Sequence, residues 1–179
     1  MVRAALEKND LYGQQTANKM GLSLQVIEVG PKDIPLEIYP DPRYLRIVSN
    51  IDQERLLAAC RVTGTHIHLG APDLSTAIKI ANLLREYLDF LCQIGDHSKG
   101  ERLRLYKEMA LNWQPPYYES SEHFFEVAKS EGFVDNPRNC WHLIRISVHG
   151  TVELRMFGVT EDLDEICYWV ETIRKLIRD

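Results

Sequence analysis

Long apolar runs are missing from this 179-residue chain. None approaches the ~18 residues that a bilayer-spanning helix needs, which argues against a membrane-embedded role. No leader is expected either, because charge enters at Arg3, Glu7, Lys8 and Asp10 before any apolar stretch reaches signal-peptide length. The expected location is cytoplasmic. Cysteine is scarce: Cys60, Cys92, Cys140 and Cys167 stand far apart with no Cys-x-x-Cys pair. That excludes a disulfide framework and a zinc–thiolate site, and predicts four reduced thiols. Positive charge is also short, with 21 Lys and Arg against 26 Asp and Glu and a net charge of −5. Nucleic acid and anionic membranes are therefore not expected as main partners. The local basic clusters, Arg102, Arg104 and Lys107, then Arg174, Lys175 and Arg178, read as solvated faces or partners of helix C-termini. No Walker loop, no Gly-x-Gly-x-x-Gly run, no nucleophile elbow, no repeat and no low-complexity segment is present.

What is present is an ordinary globular composition, 45% hydrophobic and 26% charged, at a length that predicts one domain over residues 1–179. A weakly amphipathic helix is predicted over 3–20, ended by Gly21. Alternation over 22–29 predicts a strand before Gly30-Pro31, and four prolines between 31 and 42 make a rigid, non-helical connection. A helix is expected over 44–60, a strand over 61–70, and a helix capped by Asp73 running to about Cys92. After a loop at 95–100 come helical turns over 103–109, the aromatic loop Trp113–Tyr118, and a helix from Ser120 or Ser121 to Lys129, stopped by Gly132. Residues 141–148 and 151–157 predict a hairpin around His149-Gly150. A helix capped by Thr160 closes the chain. This order predicts an α+β fold, a small, mostly antiparallel sheet with helices packed on one face.

Two stretches carry candidate chemistry. Period-2 alternation places Gly64, His66, His68 and Gly70 on one strand face, with Ile67 and Leu69 behind them. The glycines are expected to leave open space above the imidazoles. In the second stretch Thr151, Glu153 and Arg155 share a face, and Val152, Leu154 and Met156 share the other. In one sheet these residues would form a polar floor suited to a divalent metal on His and Glu beside a phosphate or carboxylate held by Arg. Taken alone, a Glu-x-Arg on a strand is more often a surface ion pair, and His-x-His is common. His97, His123, His142 and His149 have no partners in view. Trp113, Tyr117, Tyr118 and Trp141 read as packing residues, and Glu28 and Glu37 as solvated acids. From chemistry alone, an open zinc site on His66, His68 and Glu153, and hence a zinc-dependent hydrolase, is an alternative.

Gly64-Thr65-His66-Ile67-His68-Leu69-Gly70 resembles the Gly-x-His-x-His-x-Gly strand of the carboxylate–amine ligases of the glutamate–cysteine ligase type 2 family, in the glutamine synthetase superfamily. Asp41-Pro42-Arg43-Tyr44, the segment Trp141 to Ser147, and Gly150-Thr151-Val152-Glu153-Leu154-Arg155-Met156 are similar to further family motifs in the same order. The likeness runs from about residue 5 to the end. The family's N-terminal Glu-x-Glu strand has no counterpart here, and Ile94–Gly100 replaces its Ser-Ser-Pro-x-Trp loop. The resemblance implies the fold of the glutamine synthetase catalytic domain and an ATP-dependent ligase that joins an amino-acid carboxylate to an amine through an acyl phosphate. It implies ATP and magnesium, with manganese as a substitute, as cofactors. It also implies His66 and Glu153 as metal ligands, and His68, Arg145 and Arg155 as catalytic residues binding nucleotide and substrate. Small-molecule substrates and a homo-oligomer, or a second chain completing the site, follow from the same resemblance. A family-derived domain that retains only nucleotide or metal binding is the alternative.

Overall fold

In the computed structural model, which describes residues 2–178, helices and strands alternate as an α+β chain. Among the described residues there are eight α-helices: α1 Val2–Lys19, α2 Pro42–Val48, α3 Gln53–Arg61, α4 Leu74–Glu86, α5 Leu88–Ile94, α6 Glu101–Met109, α7 Ser121–Ser130 and α8 Leu163–Arg178. The three strands are β1 Thr65–Gly70, β2 Ile144–Ser147 and β3 Thr151–Phe157, and a 3-10 turn spans Pro137–Asn139. No described helix is long and apolar enough to cross a membrane. Contacts divide the chain into two compact units, one of residues 28–158 and one of 2–27 with 159–178.

The larger unit is organised by caps and by one sheet. Asp52 and Asp73 accept the N–H groups of Arg55 and Thr76, and Ser120 accepts that of His123, so α3, α4 and α7 each start at a side-chain oxygen. Gly132, with φ +72°, supplies the left-handed residue just after α7. The sheet has the order β1-β3-β2, antiparallel throughout, with β3 in the middle. Each row across it is chemically uniform. Ile67, Leu154 and Ile144 lie side by side, as do Leu69, Val152 and Ile146, whereas the row between them is His68, Glu153 and Arg145. Helices α4 and α5 pack against the sheet. Val152, Leu154, Met156, Ile67 and Ile144 are buried there with Leu84 and Leu91. The apolar rows set the register, because a slip by one residue would carry the charged row into the core.

The β1–β3 register breaks between Thr65 and Ile67. That irregularity leaves carbonyls without ladder partners, and Arg102 supplies the donors. Its guanidinium, buried to 2% exposure, donates to the carbonyls of Thr63 at 2.5 Å, Met156 at 2.8 Å and Arg155 at 3.0 Å. The expectation that Arg102 is solvated is therefore overturned. So is the expectation that Gly64 leaves room for a ligand, since a Cβ there would run into the Arg102 guanidinium and the Phe157 carbonyl. Gly70, by contrast, has nothing within 4 Å of such an atom.

The smaller unit pairs α1 with α8, joined by an ion pair between Arg3 and Asp164. Asp162, directly before α8, accepts the N–H of Asp164 at 2.8 Å, while Thr160 caps only the preceding turn at Asp162. Residues 22–27 form no strand and leave Leu22, Leu24, Val26 and Ile27 exposed. Alternation alone does not make a strand without a neighbour to accept its backbone hydrogen bonds. In the larger unit, only Val29 forms an isolated bridge, to Val62. Two helices expected to be continuous are broken. The 44–60 helix divides at Asp52, whose side chain starts α3, and the helix from Asp73 divides at Tyr87.

Arg102→Met is expected to cost about 3 kcal/mol or more of unfolding free energy, because two buried carbonyls and one part-buried carbonyl lose a charged donor. Urea titration reads this as a lower midpoint with unchanged slope. An unchanged midpoint would mean that water satisfies those carbonyls.

Candidate functional site

Antiparallel pairing brings His66, His68, Glu153 and Arg155 together on one face of the sheet, as their spacing predicts, and Arg145, which only the resemblance implied, joins them from β2. Glu153 is the hub. Its Oε1 lies 3.0 Å from His66 Nδ1, 3.6 Å from Arg155 Nε and 4.0 Å from His68 Nε2, and Arg145 Nε donates to Oε2 at 2.6 Å. Its side chain is only 2% exposed, whereas those of His66 and His68 are 39% and 43% exposed. Glu153 is thus not the open-faced acid that alternation suggests. It lies under the two histidines, and they are what the solvent meets.

Electrostatics follow from this nesting. Burial pushes the Glu153 carboxyl pKa upward. The hydrogen bonds from His66 and Arg145 and the charges of Arg145 and Arg155 outweigh it and bring the value down to about 2. The acid is ionised at any ordinary pH, and two guanidinium groups share its single charge. Arg145 and Arg155 also donate to the Cys140 carbonyl, at 3.0 and 3.3 Å. The Arg155 guanidinium sits 5.3 Å from the Trp141 ring and 5.9 Å from that of Tyr106. Its Nε is buried with no hydrogen-bond partner. The floor therefore carries excess positive charge, with one histidine pair above it.

Two positioning residues escape a reading by motif. His68 Nδ1 is 2.9 Å from Thr151 Oγ1, which is 3.0 Å from Ser147 Oγ. This hydroxyl chain turns the Nε2 edge of His68 toward Glu153. The alternation does place Thr151 on the functional face; that it holds His68 depends on pairing across strands 83 positions apart in sequence.

As a metal site the donor set is sparse. Among the described residues no group of three or more His, Cys, Asp and Glu side chains is disposed to hold a metal ion. His66 and Glu153 hydrogen-bond to each other, and Arg145 occupies the second carboxylate oxygen. This arrangement does not favour the zinc-hydrolase reading, which needs three ligands converging on one point. The residues fit magnesium in one form only. Magnesium often takes one or two carboxylates, with phosphate oxygens and water completing its octahedron. Glu153 Oε1, beside His66, could supply the single carboxylate to an ion that arrives on a phosphate chain.

Other expectations change in the structure. His142 does have partners: its Nε2 is 3.0 Å from Glu131 Oε2 and its Nδ1 3.4 Å from Cys140 Sγ, in a buried array. Burial holds the Cys140 thiol up at about 11 and lowers the His142 imidazole, so neither of these two groups carries charge near pH 7. The four cysteines are free thiols. Trp141 borders a cavity with Arg155, and Tyr118 packs in the core as expected. Glu37 is exposed, but Glu28 is buried. Its Oε2 accepts the His97 N–H at 3.0 Å and its Oε1 has no partner, in a niche that a Cβ on Gly158 would fill.

No family model matches the chain, and no solved structure does. Curated proteins do match. A glutamate–cysteine ligase of Natronomonas pharaonis is 28% identical over 65% of this chain and 36% of its own length. A putative glutamate–cysteine ligase 2 of Solibacter usitatus is 27% identical over 72% of this chain and 37% of its own. One of Chloroflexus aggregans is 24% identical over 79% of this chain and 39% of its own. The chain spans a little over a third of the length of these relatives.

Glu28 gives a pH test. Burial raises its carboxyl above the ordinary 4.5, and the His97 N–H only partly offsets this. A raised carboxyl pKa favours the protonated form in the fold. The stability it contributes is full below the unfolded value and is lost as pH rises through the folded one. Glu28→Gln is therefore expected to melt above the wild type at pH 8, with the gain shrinking toward pH 4. Scanning calorimetry across that range checks it; a wild type at least as stable at pH 8 would show an ionised, bonded carboxylate.

Proposed function

Because the chain is a relative of the glutamate–cysteine ligases, we propose that its charged row is the phosphoryl-handling floor of an ATP-dependent carboxylate–amine ligase with the fold of the glutamine synthetase catalytic domain. One observation carries the reading: a buried, ionised Glu153 flanked by Arg145 and Arg155 under two half-exposed histidines. Phosphoryl transfer asks a protein for positioning and for neutralisation of charge, rather than for covalent chemistry. In the proposed reaction a substrate carboxylate oxygen attacks the γ-phosphorus of ATP and ADP leaves. The amine nitrogen then attacks the acyl carbon, loses a proton, and expels inorganic phosphate.

Each residue has a role in that scheme. Arg155 and Arg145 neutralise the transferring phosphoryl group and hold the carboxylate. His68, oriented by Thr151, faces the phosphate chain. His66 and Glu153 would hold magnesium, which when bound spreads the charge of the β- and γ-phosphates. With one carboxylate in the donor set, the remaining acids would come from a second copy or a second chain. The substrates are small molecules, an acid and an amine.

Calorimetric titration of ATP with magnesium tests the reading. Micromolar binding is expected in the wild type, at least tenfold weaker in Glu153→Gln and in His68→Ala. His68→Ala guards the test, since its half-exposed side chain can be lost without unpairing buried arginines. Absence of binding in the wild type, or unchanged binding in His68→Ala, would leave a domain that keeps the ligase-like floor without its use.

A further inference from the structure

Behind the charged floor lies a cavity of about 650 Å³, bordered by residues 38–39, α2, α3, the end of α6 and residues 136–141. Its volume is that of a small-molecule site. Its walls are apolar and aromatic: Tyr39, Tyr44, Ile47, Ile51, Leu56 and Trp141. Its polar character is one-sided. Arg55, Arg138, Arg145 and Arg155 all line it, and among the described residues no aspartate or glutamate does. Arg55 is held by the Met109 carbonyl, at 3.0 Å from Nη2, and forms no ion pair with a carboxylate among the described residues. Arg138 likewise pairs with no carboxylate among the described residues. Glu153, from the floor, offsets one of four positive charges.

We propose that this cavity binds a carboxylic acid with an apolar or aromatic body, its carboxylate on Arg145 and Arg155. This deepens, and rests on, the ligase reading, in which the acid to be activated must reach the Glu153 row. Among the described residues, Arg145 and Arg155 alone border both the cavity and the Glu153 carboxylate, which fixes the end at which the carboxylate sits. Burial of the body against the aromatic and branched walls supplies affinity, and the guanidinium forks supply direction. The same lining disfavours a zwitterionic amino acid such as glutamate. Its ammonium would enter walls that carry four arginines and, among the described residues, no acid.

The test is calorimetry with three probes: 3-phenylpropionate, its neutral amide 3-phenylpropionamide, and L-glutamate. Saturable binding of 3-phenylpropionate is expected, with the amide and L-glutamate at least tenfold weaker. Ala59→Phe, which fills the cavity from α3, is expected to weaken 3-phenylpropionate at least tenfold and to leave ATP–magnesium binding unchanged. Should that variant misfold, Arg138→Ala on the exposed rim serves instead, weakening the acid severalfold and not the amide. Equal binding of acid and amide, or L-glutamate binding as well as 3-phenylpropionate, overturns the inference. Displacement of 3-phenylpropionate by ATP overturns it too, by giving the cavity to the nucleotide. ATP binding without 3-phenylpropionate binding sinks this inference alone. Binding of the acid by a protein that binds no ATP sustains the acid site and sinks the ligase reading.

Discussion

One carboxylate, that of Glu153, sets the terms on which the sheet is built. It is buried in the central strand, and a buried charge is tolerable only with partners of opposite sign and a full set of hydrogen bonds. Arg145 on one neighbouring strand and His66 on the other supply the closest contacts, with Arg155 on its own strand. Each flanking strand thus donates to one of its two oxygens, with the Arg155 charge beside them, and neither can shift without leaving a charge unpaired. The apolar rows on either side add the usual burial energy. The ionic row adds specificity, since only one register satisfies it.

The same arrangement explains how a floor of net positive charge can be held rigid. Arg145 and Arg155 are both tied to the Cys140 carbonyl, and the Arg155 ring contacts fix its plane. The guanidinium groups are placed before any ligand comes, which is the condition for electrostatic stabilisation without reorganisation. Arg102 does the corresponding work for the backbone, closing the strand irregularity below Arg155 from a helix far along the chain.

Much of this was legible in the residues themselves. Alternation in 64–70 and 151–157 places His66, His68, Glu153 and Arg155 on the correct face, and Asp73, Ser120 and Gly132 mark helix ends where the structure has them. The failures share a cause, which is partnership across long stretches of chain. Residues 22–27 have the strand pattern but form no strand, and of the 22–29 segment Val29 alone makes a bridge. Glu28, Arg102 and His142 look like surface side chains until residues 97, 63, 155, 156 and 131 are brought beside them. The burial of Glu153 depends on both flanking strands, so its motif reveals its face and not its depth.

The sheet's connectivity has a kinetic meaning. Arg145 and Glu153, on one hairpin, are 8 positions apart, whereas the His68–Thr151 contact closes 83. Hairpins form in microseconds, and pairings across long loops wait for the chain between them to be ordered. The half of the floor that carries the arginines can therefore assemble first and the histidine strand must join it afterwards. During synthesis the histidine strand emerges well ahead of its mate, since the His68–Thr151 contact spans 83 positions. For that interval its edge is open to any other extended segment.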